Sequence, residues 1–531
     1  MKKTNHILLT FALLALLAGL AITLSSCGAD QNATAPQINV LDMYYTFTLQ
    51  EDDTYAIAAN DASKLPTYLT IPDTYQDKPV TSISAGGFVA GEFASLTIGD
   101  NIKDIGWSAF SGCKNLTTVT LSGAKTIGDN AFQGCERLAS VVIPEGVTSV
   151  GKNTFGGCYG LVSVTLPSSL TSIGEGAFSA CVKLVEVINY SALPIEKGSE
   201  AHGRVAYNAM YLHQGQSKID TLEQYLFIQS PEGKDFLLGY IGQNEDITLP
   251  SQYRQSTYSL YPYAFVYSHI TSVAMPFGVE SIAQSAFSLC PTLISVTMGE
   301  SVRYIEDRAF EGCSGLQTVC IGSGVEHIGK NPFYHCIMLK DIFVDEANQH
   351  YQSIDGNLYS KQGALTLLQY AVGDDVASYI IPEDVVGIAD YAFADAKRLS
   401  SVSIPSSVES IGAYAFKSCS KLSYINIPDT VTTLGEGAFM GCEELSTVEV
   451  GEGITRIEAS TFSGCARLLD LTLSRNVTYI GENAFANIRF WSELTFEGEI
   501  AEWQAIEKHS DWKKNSAKVT ILCSDGSVEA N

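Results

Sequence analysis

Cysteine is the residue type best equipped for chemistry in this chain of 531 residues, which holds 13 of them. Ten stand at one recurring place: Cys113, Cys135, Cys158, Cys181, Cys290, Cys313, Cys336, Cys419, Cys442 and Cys465. Thiols can ligate a metal or pair as disulfides. Their spacing is that of a long repeat, not the short CxxC spacing of a zinc site. Ala396 and Ile488 hold the same slot in two further copies, so it is a packing position. The ten are expected as buried free thiols acting as small hydrophobes. Stacked copies would also aim their Cβ vectors in parallel, the wrong way for a disulfide. The eight His stand at 6, 202, 213, 269, 327, 335, 350 and 509. None makes an HExxH pair, and no GxSxG, phosphate loop or EF-hand loop occurs. His327 and His335 flank one repeat but lack a third ligand. Acidic pairs such as Glu443-Glu444 belong on a solvated face. No catalytic residue, no metal and no cofactor is expected, and the chain is not expected to be an enzyme.

Cys27 is different. It ends the string Leu24-Ser25-Ser26-Cys27, which closes an apolar run at 7–24 preceded by Lys2 and Lys3. That order is a basic n-region, an apolar h-region and small residues before a cut. The string resembles a bacterial lipobox, where a diacylglyceryl group alkylates the thiol and the chain is cut just before it. The run is also about long enough to span a bilayer, so an uncleaved anchor is the competing reading. The small residues beside a Cys at the end of the run favour cleavage. Residues 1–26 are then a lipoprotein signal peptide and 27–37 a lipidated tether. Several acyl chains on one Cys hold a protein stably at a membrane, and the lipid is the expected membrane contact.

The elements that carry the cysteines are read from a string, Ile-Gly-x-x-Ala-Phe-x-Gly-Cys-x-x-Leu-x-x-Val-x-Ile/Leu. Its Phe recurs at 88, 110, 132, 155 and 178, then 265, 287, 310 and 333, then 393, 416, 439, 462 and 485, with a period of 22 or 23 inside each run. Such a period marks a solenoid and overrides the three or four domains that length alone suggests. Leu, Val and a further aliphatic follow each Phe, as in Leu138, Val141 and Ile143. The last two are one residue apart and share a strand face. Each turn should therefore give one short strand to a parallel sheet, a second extended piece opposite, and a compact Ala-Phe turn with its ring inside. The fold class is a β-rich repeat solenoid of the α/β leucine-rich-repeat type, with short helical or irregular turns, β-hairpin insertions and end caps.

This repeat resembles the BspA-like leucine-rich repeat family of bacterial surface proteins over about 80–495. The C-terminal end, with Leu494, Phe496, Trp503, Trp512 and Cys523, resembles the cap of such solenoids. The resemblance implies a non-enzymatic, cell-surface interaction protein, and some members are described as adhesins for host matrix proteins. The expected function is a lipid-anchored envelope protein that binds a protein of the host or of a bacterial surface. The alternative is a carbohydrate-binding accessory lipoprotein whose partner is a glycan, and a purely structural envelope component is a third. Lys plus Arg number 32 against 58 Asp plus Glu, a net charge of −26. That surface repels nucleic acid and anionic membrane, and both are excluded as partners.

Two gaps break the period. They bound insertions at 189–256 and 345–383, inside a solenoid at 82–496 flanked by an N-terminal β cap at 38–81 and a C-terminal cap at 497–531. After Val187 the next inward slot is Asn189, so the turn is expected to fail there. The first insertion should hold strands at 225–228, 236–240 and 247–249. Both insertions end in a strand followed by Pro, as ordinary turns do, and should feed back into the same solenoid. Outward strand slots are mostly Ser and Thr, poor anchors for a partner. Nine of the 26 Tyr fall within 190–263. Tyr is favoured at interfaces, though a hairpin would also pair Tyr across strands. The first insertion is the expected recognition element, with Tyr207, Tyr211 and Tyr225 as binding residues, and Phe343 and Tyr424 as the next candidates.

Changing Cys27 to Ala should abolish fatty-acid labelling and leave uncut precursor on a denaturing gel. Normal incorporation into that variant would refute the lipid anchor.

Overall fold

The computed structural model describes residues 39–373 and 375–530. Cys27, the signal peptide and the tether lie outside them. The first described element is a single 3-10 turn, Val40–Met43. From Tyr44 onward the chain is a β-solenoid of about 20 turns, with almost no helix. Each regular turn supplies strands to two parallel ladders. One is built from the Val-x-Ile segment: Val141 pairs with Val164, and Val164 with Val187. The other uses a two-residue strand before the Phe: Ile105, Ile127, Val150 and Ile173 are partners in order. Every residue thus pairs with its own copy one period away. Identical side chains then stack, and the inward set stays inward along the whole ladder.

The Phe column runs through the centre. Successive rings within each run lie stacked, with centroids 4.7–5.5 Å apart. Nearly every Phe amide reaches the next turn, as in Phe110 N to the Ala131 carbonyl (2.8 Å) and Phe416 N to Ala438 (2.7 Å). The ten repeat cysteines are all free and buried. Each donates its S–H to the Phe carbonyl of the preceding turn at 2.9–3.3 Å. The slot therefore takes Ala or Ile by shape, but Cys adds a weak donor to a buried acceptor. Burial pushes the Cys158, Cys290 and Cys465 thiols well above their ordinary value, and Cys181 up to about 12.

The backbone around the Phe makes a demand that the repeat string conceals. The residues two before and two after every one of the fourteen Phe have φ between +49° and +77°. Gly, Asn, Asp and Ser fill many of these places, but Tyr263, Tyr267, Leu289, Arg308 and His335 accept the same left-handed geometry. The glycine four before the Phe does not adopt it. At Gly128 a Cβ would stand 2.9 Å from backbone of the neighbouring turn, so close approach is its reason.

The two insertions are restarts of the solenoid. The N-terminal hairpin, Tyr45–Leu49 with Tyr55–Ala59, passes its second strand into the short-strand ladder. The set Ile219–Leu222, Tyr225–Gln229 and Asp235–Tyr240 does the same through Leu237 and Leu260. So does Tyr351–Ile354, Asn357–Ser360 and Thr366–Gln369, through Leu367 and Ile388. After each comes a strand that opens a new long ladder: Tyr68–Thr70, Asp246–Thr248 and Ser378–Ile380. The chain is three solenoid blocks joined in series. One expectation is corrected. The turn does not fail at Asn189, because Glu186–Asn189 pairs along its full length and a further strand, Tyr211–His213, follows it in register. Asn189 instead receives Ser191 N (3.0 Å) and Ser191 Oγ (2.6 Å) and folds the chain out of the ladder. At the other end, Val519–Cys523 closes the last ladder by pairing antiparallel with Gly526–Ala530. The C-terminal cap carries one helix, Ile500–Ala505, with a capping box of Glu499 and Glu502.

Consecutive blocks pack through aromatics and through cations, of which Lys183 is buried and Arg137 and Lys417 are half-buried. Lys183 Nζ donates to the Ala264 carbonyl at 2.9 Å, and Arg137 Nη2 to that of Gly242 at 2.9 Å. Val162 and Val185 of block one pack with Leu226, Ile228 and Leu238 of block two. Between blocks two and three, Lys417 Nζ donates to Tyr334 Oη (3.1 Å) and lies 5.7 Å from the rings of Tyr334 and Tyr414.

Two expected outcomes follow from this packing. Phe416→Ala should cost about 3–5 kcal/mol and melt its neighbours first. Limited proteolysis should then open sites near 393–439, and an unchanged fragment pattern would contradict the stack. Burial holds the Lys183 amine down to about 8, against 10.5 for a free lysine. Between those values the unfolded chain binds more protons, so stability rises with pH across the window. Lys183→Met removes that burden but orphans the Ala264 carbonyl. It should gain about 2 kcal/mol at pH 7, with the gain gone by pH 10.5, in denaturant titrations at the two pH values.

Candidate interaction surfaces

The outward face of the long-strand ladders is lined mainly by small hydroxyl residues, such as Ser95 and Thr118, Ser140 and Ser163, or Ser272 and Ser295. Large apolar side chains stand on it singly. Tyr68 is 76% exposed and Ile380 72%, each on the first strand of a ladder. Phe343, 51% exposed, is on the last strand of the second ladder, opposite Cys320. Tyr424 is exposed on the third ladder, its hydroxyl 3.2 Å from Glu449 Oε2. Both rings stay open to solvent, as contact residues for a broad ligand must.

The three tyrosines of the first insertion have separate fates. Tyr207 is exposed, with the Arg204 guanidinium 4.5 Å from its ring centroid. Tyr211 is half-buried on the edge strand, and its hydroxyl donates to the Gln229 carbonyl at 2.7 Å. Tyr225 is a core residue: it is buried, its hydroxyl donates to Thr248 O at 2.8 Å, and its ring lies 5.1 Å from its cross-strand partner Tyr240. Burial pushes its pKa up to about 12. Tyr253 stacks on Phe227 at 4.1 Å, and Tyr258 meets the same ring edge-on. Much of the tyrosine excess therefore builds the restart of block two. The five candidate residues fall on different blocks and do not converge. Residues 202–213 also complete a turn of block one, through Tyr211–His213 and the bond from Phe178 N to the Gly203 carbonyl.

Sequence reasoning missed a buried carboxylate on this face. Glu186 occupies the slot that Ser140 and Ser163 hold in the preceding turns. It accepts from Ser163 Oγ (2.7 Å), Ser217 Oγ (2.5 Å), Lys218 N (2.5 Å) and His213 Nε2 (3.1 Å). Burial pushes this carboxyl up, but the four donors outweigh it and leave its pKa below the ordinary value. The cluster clamps the loop after His213 to the ladder. A Glu in a Ser slot was the available signal, and its partners 27 to 32 residues away were not. Near His335, Nδ1 lies 2.8 Å from Asp395 Oδ2, across the second block junction. Among the described residues, no cluster of three or more His, Cys, Asp or Glu could hold a metal ion, and no helix is long and apolar enough to cross a membrane.

Parallel strands stacked by a 22- or 23-residue period, with one inward Leu and one inward Phe per turn, define a leucine-rich repeat solenoid. The family model described as BspA type leucine rich repeat region matches in six copies, over residues 78–196, 258–371 and 375–506, and the chain belongs to that family. These are bacterial cell-surface proteins whose repeat is a non-enzymatic scaffold. Similar solved structures include a leucine rich cell surface protein from Faecalibacterium prausnitzii A2-165. It is 24% identical, with 91% of this chain and 100% of that chain covered and a TM-score of 0.40. A leucine-rich repeat protein from Eubacterium ventriosum is 16% identical, covering 89% and 93%, with a TM-score of 0.39. The pneumococcal vaccine antigen PcpA is 17% identical, covering 91% and 96%, with a TM-score of 0.32. No curated protein matches the chain.

Cys320 and Cys523 are the two described thiols outside the core, both free and half-buried. A thiol reagent should label these two in native protein and all twelve described cysteines after denaturation without reductant. Rapid native labelling of Cys419 or Cys442 would contradict the buried column.

Proposed function

We propose that this chain is a lipid-anchored bacterial surface protein that displays its solenoid to a protein ligand, in adhesion to a host matrix or to another cell. In this reading residues 1–26 are the leader, Cys27 carries the lipid and 27–37 are the tether. Residues 38–81 and 497–531 close the two ends of the solenoid. The observation that supports protein binding best is the open hydroxyl-lined sheet face with large apolar residues standing on it, Phe343 and Tyr424 among them. A face of that kind offers area and a few anchors, which suits a macromolecule. The anchor reading rests on the Leu24-Ser25-Ser26-Cys27 string.

Two measurements test this reading. Protease added to intact cells should remove the chain if it faces outward. Purified protein should bind at least one component of an immobilised panel of extracellular-matrix proteins, saturably, and the pair Phe343→Ser and Tyr424→Ser should weaken that binding about tenfold, equal to about 1.4 kcal/mol. Full protection from protease in intact cells would refute surface display. Affinity unchanged in the double variant would move the contact off this face.

A further inference from the structure

The start of block two contains a groove of about 590 Å³ that the regular repeat does not make, within the size range of small-ligand sites. Its floor is the outward row of the short-strand ladder. Ser259 is the partner of Ser281, and Ser281 of Tyr304. Two small residues side by side along the row leave the floor low, and the Tyr304 ring, 38% exposed, stands at one end. The other end is formed by the turn before Asp235–Tyr240 and by Arg254. From the strand that begins at Asp235 to the strand of Tyr304 the groove crosses three strand spacings, about 14 Å.

The polar groups at the closed end are fixed before any ligand arrives. Arg254 Nη2 donates to Asp220 Oδ2 at 2.6 Å, and Tyr253 Oη donates to the same oxygen at 2.5 Å. The guanidinium also lies 5.1 Å from the Tyr253 ring centroid. Asp235 is the unusual member. Its side chain is only 8% exposed, yet its buried Oδ1 makes no hydrogen bond within the chain, and the nearest cation is Arg254 Nη1 at 3.9 Å. A buried carboxylate oxygen without a donor is costly, and the groove it lines is where a donor can come from.

The charges narrow the class of donor. Arg254 and Lys234 face Asp220, Asp235 and Glu280, one negative charge in excess, so an anionic ligand is disfavoured. What fits is neutral, carries hydroxyls that donate to Asp235 and accept from Arg254, and has an apolar face to lie on Tyr304. We infer that this groove is a binding site for a neutral saccharide of two or three rings, with Tyr304 as its platform and Asp235 and Arg254 as its hydrogen-bonding end. The site is separate from the protein-binding face proposed above and does not depend on it.

The test uses the full-length protein in a detergent without a sugar headgroup. The probes are immobilised neutral disaccharides and trisaccharides of hexoses and N-acetylhexosamines, beside sialylated and sulfated ones, with calorimetry on any hit. At least one neutral saccharide should bind, and its affinity should fall about tenfold in Tyr304→Ala and Asp235→Ala. Tyr304→Phe should keep it within about threefold, and Ser281→Tyr, which fills a half-buried floor position, should abolish it. Phe343→Ser should leave it unchanged. No binding of any neutral probe at about 10 mM, binding that survives Ser281→Tyr, or binding of charged glycans alone would each overturn the assignment.

Discussion

Stacking of like on like is the constraint from which the rest of this structure follows. A turn of 22 or 23 residues has too little interior to bury one Phe, and it becomes stable only against a copy of itself. The ring-to-ring spacing of 4.7–5.5 Å is close to the strand spacing of a sheet, so aromatic stack and backbone ladder share one repeat distance. That coincidence fixes the Phe, and the Phe fixes the two left-handed residues that swing the chain around it. Where those residues are Tyr or Arg instead of Gly, the local strain is roughly 1–2 kcal/mol at each site, and the stack outweighs it.

Interruption follows from the same constraint. A solenoid cannot pause in mid-ladder without exposing strand edges. This chain begins again instead, with an antiparallel hairpin that supplies a fresh strand for the next ladder. The restarts also supply variety. The groove at Asp235 and Tyr304, the carboxylate clamp at Glu186 and the buried Lys183 all sit at or beside a restart, where side chains need not match a copy one turn away.

The sequence made the periodic part legible because each repeat reports on the same slot many times. The Phe column, the packed thiols and the strand-Pro endings could all be read that way, and the hairpin strands near 225 and 236 from their own local pattern. What happens once could not. Asn189 looks like a break when judged by its own slot, and only Ser191 shows that it caps a turn. Tyr225 looks like a contact residue by type, but Thr248 and Tyr240 make it core. Glu186 and Asp235 depend on partners far along the chain, His213 and Arg254, and no single-sequence period connects those. The left-handed positions escaped notice because their occupants differ while their backbone does not.

The division into three blocks has a mechanical consequence if the chain is held at one end, as proposed above. Load applied along the chain would draw turns off an exposed end one at a time. Each would release 22 or 23 residues, about 75 Å of extended chain, at a low and nearly constant force. At each junction the next block is fastened sideways, by Lys183 and Val162 at one and by Lys417 and Tyr334 at the other. Those contacts must be sheared together instead of peeled singly. Under such load the molecule would lengthen in stages, with two internal stops, while the blocks beyond each stop keep their shape.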